Sequence, residues 1–265
     1  IVLPHEFFNF NCIFTEIPER KIIRIAQKES VFKMLLANNY CAVFIGEVYI
    51  REKLVNRICS AAIKQCLPTI FSEVYQAKKH FPLIWIGIRA NHRVWVSQVD
   101  GIVNILKTLA LTYPNLGVIF DGWSRFERDD PEATSMIEKE LVLVESIIAQ
   151  LPANLKTYSL IGSPTYEKVV WAQAIDLYIC PAGSTNLFVT WIANKVGVIH
   201  TNNTMSQEWL KEHTRACENI IEPVSVPINA IVDVPPFWHW CNYECDWKAI
   251  YDEVIKLLEN INPER

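Results

Sequence analysis

The sequence predicts an α/β protein built on a doubly wound parallel sheet, and three observations predict it. Five short, apolar, β-rich runs between residues 83 and 200 alternate with segments of helical periodicity. Three of the chain's eight glycines, Gly122, Gly162 and Gly183, fall just after such runs, where strands turn into crossovers. The length of 265 residues leaves room for one full unit of this kind and a smaller neighbour.

The elements follow in order. Residues 1–39 hold apolar clusters and a helix around 22–37, broken by Asn38-Asn39, and the run from Tyr40 to Ile45, closed by Gly46, reads as a buried strand. From Arg51 to Cys66, Leu54, Ile58, Ala61, Ala62 and Cys66 share one helical face, and Leu67-Pro68 opens a connection to Pro82. A boundary near residue 80 therefore separates a smaller, partial N-terminal α/β domain (1–80) from a Rossmann-like domain (81–245), with a last helix in 246–265. In the second domain Leu83–Ile88 is apolar throughout, as a strand covered on both faces is. Ser97, with Asp100 three residues on, starts a helix to Thr112. Strands then follow at Leu116–Phe120, Lys156–Ile161, Asp176–Cys180 and Val196–His200. Helices intervene at 131–150, 165–174 and from the Pro181–Ser184 loop to Asn194.

Composition excludes several functions. The formal net charge is -4, so no global positive field draws nucleic acid, and phosphate recognition must rest on a few placed groups. No apolar run reaches the roughly 18 residues that span a bilayer, and a water-soluble, cytoplasmic chain open to peripheral membrane contact is expected. The eight cysteines are scattered, mostly in apolar segments. Cys241-x-x-x-Cys245 with His239 has half the look of a zinc site, but no second pair stands at useful spacing, so no metal is expected. No G-x-G-x-x-G follows a strand, which argues against a dinucleotide cofactor.

In doubly wound sheets ligands gather beyond the carboxyl ends of the strands. There the chain places Arg89 to Arg93, Asp121-Gly122, Gly162-Ser163, Gly183 to Asn186, and His200. Gly183-Ser184-Thr185-Asn186 precedes a predicted helix, so backbone N–H groups, hydroxyls and the positive helix end would converge on an anion. Arg93, with Arg89 beside it, would add guanidinium forks that match phosphate geometry at any working pH. Each residue also has a plain role open to it: a turn for Gly183 and Asp121, a cap for Ser184, a surface charge for Arg93, a structural ring for His200. The aromatic group Phe237, Trp238, Trp240, Tyr243 and Trp247 reads either as packing or as an exposed patch for a sugar, lipid carrier or partner.

The ordered set of a strand, a basic residue shortly before Trp95, a strand ending in Asp121-Gly122, Gly162 after the third strand, and Trp171 to Ser184 resembles the C-terminal, nucleotide-sugar-binding half of GT-B glycosyltransferases. The resemblance is greatest to the heptosyltransferase-like group and covers just under half the chain. It implies metal-independent transfer of a sugar from a nucleotide-diphosphate donor to a glycan or glycolipid acceptor in bacterial lipopolysaccharide or capsule biosynthesis, without a cofactor. Donor contacts would fall to Arg89, Arg93, Asp121, Gly162, Gly183, Ser184, Thr185, Asn186 and His200, and residues 1–80 would form the acceptor side. Glu47, just after the Tyr40–Gly46 run, is the positional candidate for the general base, with His5 and Glu6 behind it. The chain departs from the family pattern where Gly precedes Ser184 and Asn186-Leu187 follows. Two other readings stay open: a non-catalytic sugar-nucleotide-binding module of a larger protein, and a sugar-nucleotide epimerase on the same fold.

Overall fold

The computed structural model describes residues 7–24, 30–41, 49–127, 130–205, 215–236 and 238–261. Among the described residues, four α-helices precede the sheet: α1 (Phe10–Ile13), α2 (Ser30–Ala37), α3 (Glu52–Gln65) and α4 (Pro68–Ala77). The last stands where a connection is expected. Pro68 opens it, in the first turn, where a missing N–H costs nothing. Most of the strand expected at 40–45 falls outside the described residues.

The sheet then alternates with helices: β1 (Leu83–Gly87), α5 (Gln98–Thr112), β2 (Gly117–Asp121), α6 (Pro131–Ile148), β3 (Lys156–Ser159), α7 (Thr165–Ala172), β4 (Leu177–Pro181), β5 (Val196–His200) and β6 (Val224–Ser225). All pairings are parallel and the order is β3-β2-β1-β4-β5-β6, a doubly wound, Rossmann-like arrangement. The five expected strands are present. The sixth has two residues, too few for any periodicity to show. An antiparallel pair, β7 (Ile231–Asp233) with β8 (Tyr243–Cys245), and the expected last helix, α8 (Trp247–Asn260), follow.

Alternation along the strands builds two cores. Ile84, Ile86, Val118, Phe120, Leu177, Ile179 and Val198 face α5, α6 and α8. Leu83, Trp85, Ile119, Tyr178, Cys180 and Ile199 face the other way, onto Val169 to Ala172 of α7, Ala62 and Cys66 of α3, and Val74 and Ala77 of α4. Each such side chain taken from water contributes about 1.5–3 kcal/mol. Side chains from both sides of residue 80 thus share this second core. An all-parallel sheet needs cover on both faces, and α3 and α4 supply part of it, with α3 packed on α7.

From β1 the chain winds outward to β2 and β3, whereas β4, β5 and β6 extend the opposite half. The chain thus leaves β1 and β4 in opposite directions, and the loops after them meet at the switch point, the place where ligands of such sheets bind.

Candidate functional site at the switch point

Arg89 leaves β1 and is buried, 7% exposed. Its backbone is fixed by Gln98 in the first turn of α5, whose side-chain amide donates to the Arg89 carbonyl at 2.9 Å. Its guanidinium reaches under the β4 loop, Nη1 donating to the Ala182 carbonyl at 3.2 Å. Arg93 follows with φ +56, a left-handed conformation that a non-glycine residue keeps only when its surroundings enforce it. The enforcing contacts are visible: its N–H donates to the Trp240 carbonyl at 3.1 Å, and its guanidinium lies 5.2 Å from the Trp240 ring centre.

Both arginines face Gly183. With φ 133 and ψ -152 this residue occupies a region essentially closed to other amino acids. A Cβ built there would stand 3.0 Å from Arg89 Nη2 and 3.1 Å from Arg93 Nη2. Two guanidinium groups from one loop therefore converge on the bare backbone of the other. Burial first, and then the charge of Arg93, push Arg89 down to about 10, so it stays cationic at neutral pH. An anion in this cradle would relieve that mutual repulsion and accept from planar forks.

His200, at the end of β5, is buried beside the cradle, its Nδ1 2.7 Å from the Tyr243 hydroxyl. Burial, reinforced by the charge of Arg89, lowers it to about 3, and the imidazole is neutral in the folded protein. The next residues are spent on fastening the 238–241 turn. Asn202, 1% exposed, donates to the Cys241 carbonyl at 3.1 Å, and Asp233 accepts from the N–H groups of Asn203 and Thr204 at 2.7 and 3.2 Å.

Asp121 sits fully buried at the end of β2, ion-paired with Lys168 of α7 at 2.6 Å. Lys168 also donates to the Gly122 carbonyl at 2.8 Å. Asp121 thus ties the β2 end to α7 instead of facing open space. Gly162, φ +76, lets the end of β3 turn against Ile137 of α6 and donate to the Trp123 carbonyl at 2.8 Å. Ser184 is exposed and Asn186 is buried, its Oδ1 unpartnered among the described residues. The Thr185 side chain and Glu47, like His5 and Glu6, lie outside the described residues.

One expectation about this loop is overturned. The helix expected up to Asn194 is a 3₁₀ turn, Ser184–Asn186, followed by a π turn, Phe188–Ile192. Phe188, Val189, Thr190, Trp191 and Ile192 are all β-branched or aromatic and lose rotamer freedom in an α-helix. Thr190 Oγ1 also donates back to the Asn186 carbonyl at 2.8 Å. So few aligned peptides build little macrodipole. Any attraction for an anion at Gly183 would therefore have to come from the two arginines.

Glu140 escapes a reading that looks only at strand ends. It is 2% exposed, accepts from the Trp123 N–H at 2.5 Å, and burial raises it to about 7. Its signal was in the sequence. Ala133, Met136, Val144 and Ile147 form the buried stripe of α6, and Glu140 is the carboxylate inside it. Lys168, beside Val169 to Ala172, gives the same signal in α7. Gln98 gave none.

Among the described residues no three His, Cys, Asp or Glu are placed to hold a metal ion. No helix described is long and apolar enough to cross a membrane. A cleft of about 720 Å³ opens on α3 around Arg51, Arg57 and Lys64 and includes none of the switch-point residues. A cavity of about 330 Å³ is walled by Asn91, His92, Val94, Pro235, Trp238 and Trp240, next to Arg93.

No family model matches the chain. No curated protein matches it either. Among solved structures the chain is similar to a glycosyl transferase family 9 protein from Veillonella parvula, with 12% identity, TM-score 0.46, and coverage of 74% of this chain and 53% of that one. It is also similar to UDP-GlcNAc 2-epimerase from Neisseria meningitidis bound to UDP-GlcNAc, with 11% identity, TM-score 0.47, and coverage of 98% and 61%. A third is the N-terminal domain of Candida albicans trehalose-6-phosphate phosphatase, with 14% identity, TM-score 0.44, and coverage of 82% and 42%. The chain thus spans less than two thirds of each of these proteins.

Proposed function

We propose that the switch-point crevice binds the diphosphate of a nucleotide sugar and that the chain is a metal-independent glycosyltransferase. The observation that carries this reading is the convergence of Arg89 and Arg93 on Gly183, within about 3 Å of the volume a side chain would fill. In such a reaction the bond between the anomeric carbon and the phosphate oxygen breaks while the acceptor oxygen bonds that carbon, and its proton passes to a base. Negative charge grows on the departing diphosphate, where preorganised guanidinium groups stabilise it most. Arg89 and Arg93 would hold the diphosphate, and Ser184, Thr185, Asn186 and the Gly183 backbone would complete its shell. His200, kept neutral, would offer a hydrogen bond without a competing charge. Asp121 and Gly162 would shape the floor from beneath. Glu47 is our candidate for the base. A glycan or glycolipid acceptor of the bacterial surface, made in the cytoplasm at or near the membrane, completes the proposal.

One observation favours a second reading, a donor-binding module without transfer activity. Asp121 and Glu140 are engaged in internal bonds, and His200 is held neutral far below physiological pH.

A thermal-shift panel of nucleoside diphosphates and their sugars tests the site. A ligand at a hundred times its Kd adds about 2.7 kcal/mol, or roughly 5–10 °C for a chain of this size. We expect one nucleotide family to stabilise the native chain, and Arg93→Ala and Ser184→Ala to lose the shift. If no nucleotide at millimolar concentration raises the melting temperature, the donor site is rejected. Product analysis then separates the readings: transfer to an acceptor supports the enzyme, binding without turnover the module, and acceptor-independent isomer formation an epimerase.

A further inference from the structure

We infer that the cavity of about 330 Å³ beside Arg93 is a subsite for a pyranose ring, with the Trp238 and Trp240 indoles as its stacking wall. The inference rests on the diphosphate reading only for the neighbour it gives the ring, since the wall stands on observations of its own.

Exposure comes first. Trp238 is 48% and Trp240 39% exposed, although the chain buries Trp85, Trp95 and Trp171 almost completely. Large aromatic rings left in water on a rigid support mark recognition surfaces.

The support is a hydrogen-bond network anchored on the buried Asn202. Asn202 donates to the His239 and Cys241 carbonyls at 3.3 and 3.1 Å, and Thr204 Oγ1 donates to the Trp238 carbonyl at 3.1 Å. On the other flank the Val94 N–H donates to Asn242 Oδ1 at 3.0 Å, and the Tyr243 N–H to the Val94 carbonyl at 3.0 Å. The β1 loop and the 238–243 segment are thereby zipped together, which sets the indoles before any ligand arrives.

The lining fits a sugar better than an apolar ligand. Indole faces pack against the C–H face of a pyranose, while hydroxyl groups need donors and acceptors at the rim. Asn91, His92 and Asn242 stand there. His92 lies against Trp240, ring centres 5.1 Å apart, and extends the wall. The volume holds one ring with room for substituents.

Position completes the argument. Arg93 touches both places: its Nη2 stands 3.1 Å from the Gly183 Cβ position, and its guanidinium carbon 5.2 Å from the Trp240 ring centre. A ring attached to a diphosphate in the cradle, or the ring of an acceptor about to meet it, would lie within one guanidinium's width of the anion.

Isothermal titration of the full chain tests this with UDP, GDP and ADP, each alone and as its glucose, mannose or N-acetylglucosamine conjugate, and separately with the methyl glycosides of those sugars. The informative variant is Trp238→Ala, because Trp238 does not stack on Arg93, and far-ultraviolet circular dichroism verifies its fold. If the ring is the donor's, one conjugate binds the native chain about five- to tenfold more tightly than its bare nucleotide, and Trp238→Ala removes that margin while bare-nucleotide affinity holds. If the ring is an acceptor's, the margin is absent, and a methyl glycoside binds the native chain but not the variant. Equal binding of every probe to native chain and variant overturns the inference. So does an equal loss for bare nucleotide and conjugate, which would assign the wall to the base. The glycoside arm reads the subsite even if no nucleotide binds, so failure of the cradle and failure of the wall are told apart.

Discussion

Replacing His200 with asparagine should change how the protein responds to acid. Its imidazole lies 5% exposed between the Tyr243 hydroxyl and the edge of Trp95, with the charge of Arg89 close by. Burial and that charge depress it from 6.5 to about 3. The unfolded chain takes up a proton as pH falls through 6.5 and the folded chain does not. Stability contributed by the neutral ring is therefore complete above pH 6.5 and lost progressively down to about 3. At about 1.36 kcal/mol per pH unit the accumulated loss is about 5 kcal/mol, a large part of the 5–15 kcal/mol that holds a typical domain together. His200→Asn keeps a polar partner for Tyr243 and removes the titration. Urea unfolding at half-unit steps from pH 7.5 to 4 measures the slope. We expect the variant to lose at least 2 kcal/mol less than the native chain across that range. Parallel curves would show that His200 takes up its proton in the folded state, and the account of a sealed neutral imidazole would be wrong.

Other outcomes follow from the same geometry. Glu140, raised to about 7 from 4.5 by burial, is charged at a cost only above its unfolded value. Its contribution to stability should fall by about 3 kcal/mol between pH 4.5 and 7, opposite in sign to that of His200, so Glu140→Gln should gain on the native chain by that amount as pH rises through the window in the same urea series. Native and Glu140→Gln curves that stay parallel refute this. Lys168→Met strands the Asp121 carboxylate in a fully buried site and should cost about 3–5 kcal/mol, while the double variant with Asp121→Asn recovers most of it. Additive losses in that double-mutant cycle would deny the pairing. Gly183→Ala forces a side chain into a backbone region that costs about 1–3 kcal/mol and pushes a methyl against both arginines. Thermal shift should show the nucleotide response abolished beyond what the lowered stability explains, and a retained response would remove the cradle from Gly183.

The sequence by itself determined the alternation of strands and helices in residues 83–200. Apolar runs such as Leu83–Ile88 and the stripe of α6 report local periodicity, and local periodicity is what decides strand or helix. It also determined where to look, because strand ends in such sheets are where ligands gather, and Arg89, Arg93 and Gly183 stood at two of them. Only the tertiary structure decided which ends meet. The strand order β3-β2-β1-β4-β5-β6 brings the loop after β1 against the loop after β4, nearly a hundred residues later, and leaves the end of β2 sealed by Lys168. It also decided the fate of the aromatic group near the C-terminus, burying Tyr243 completely while holding Trp238 and Trp240 in water. One segment of sequence carried both outcomes, because burial follows from what the rest of the chain packs against a side chain, and no local pattern encodes that.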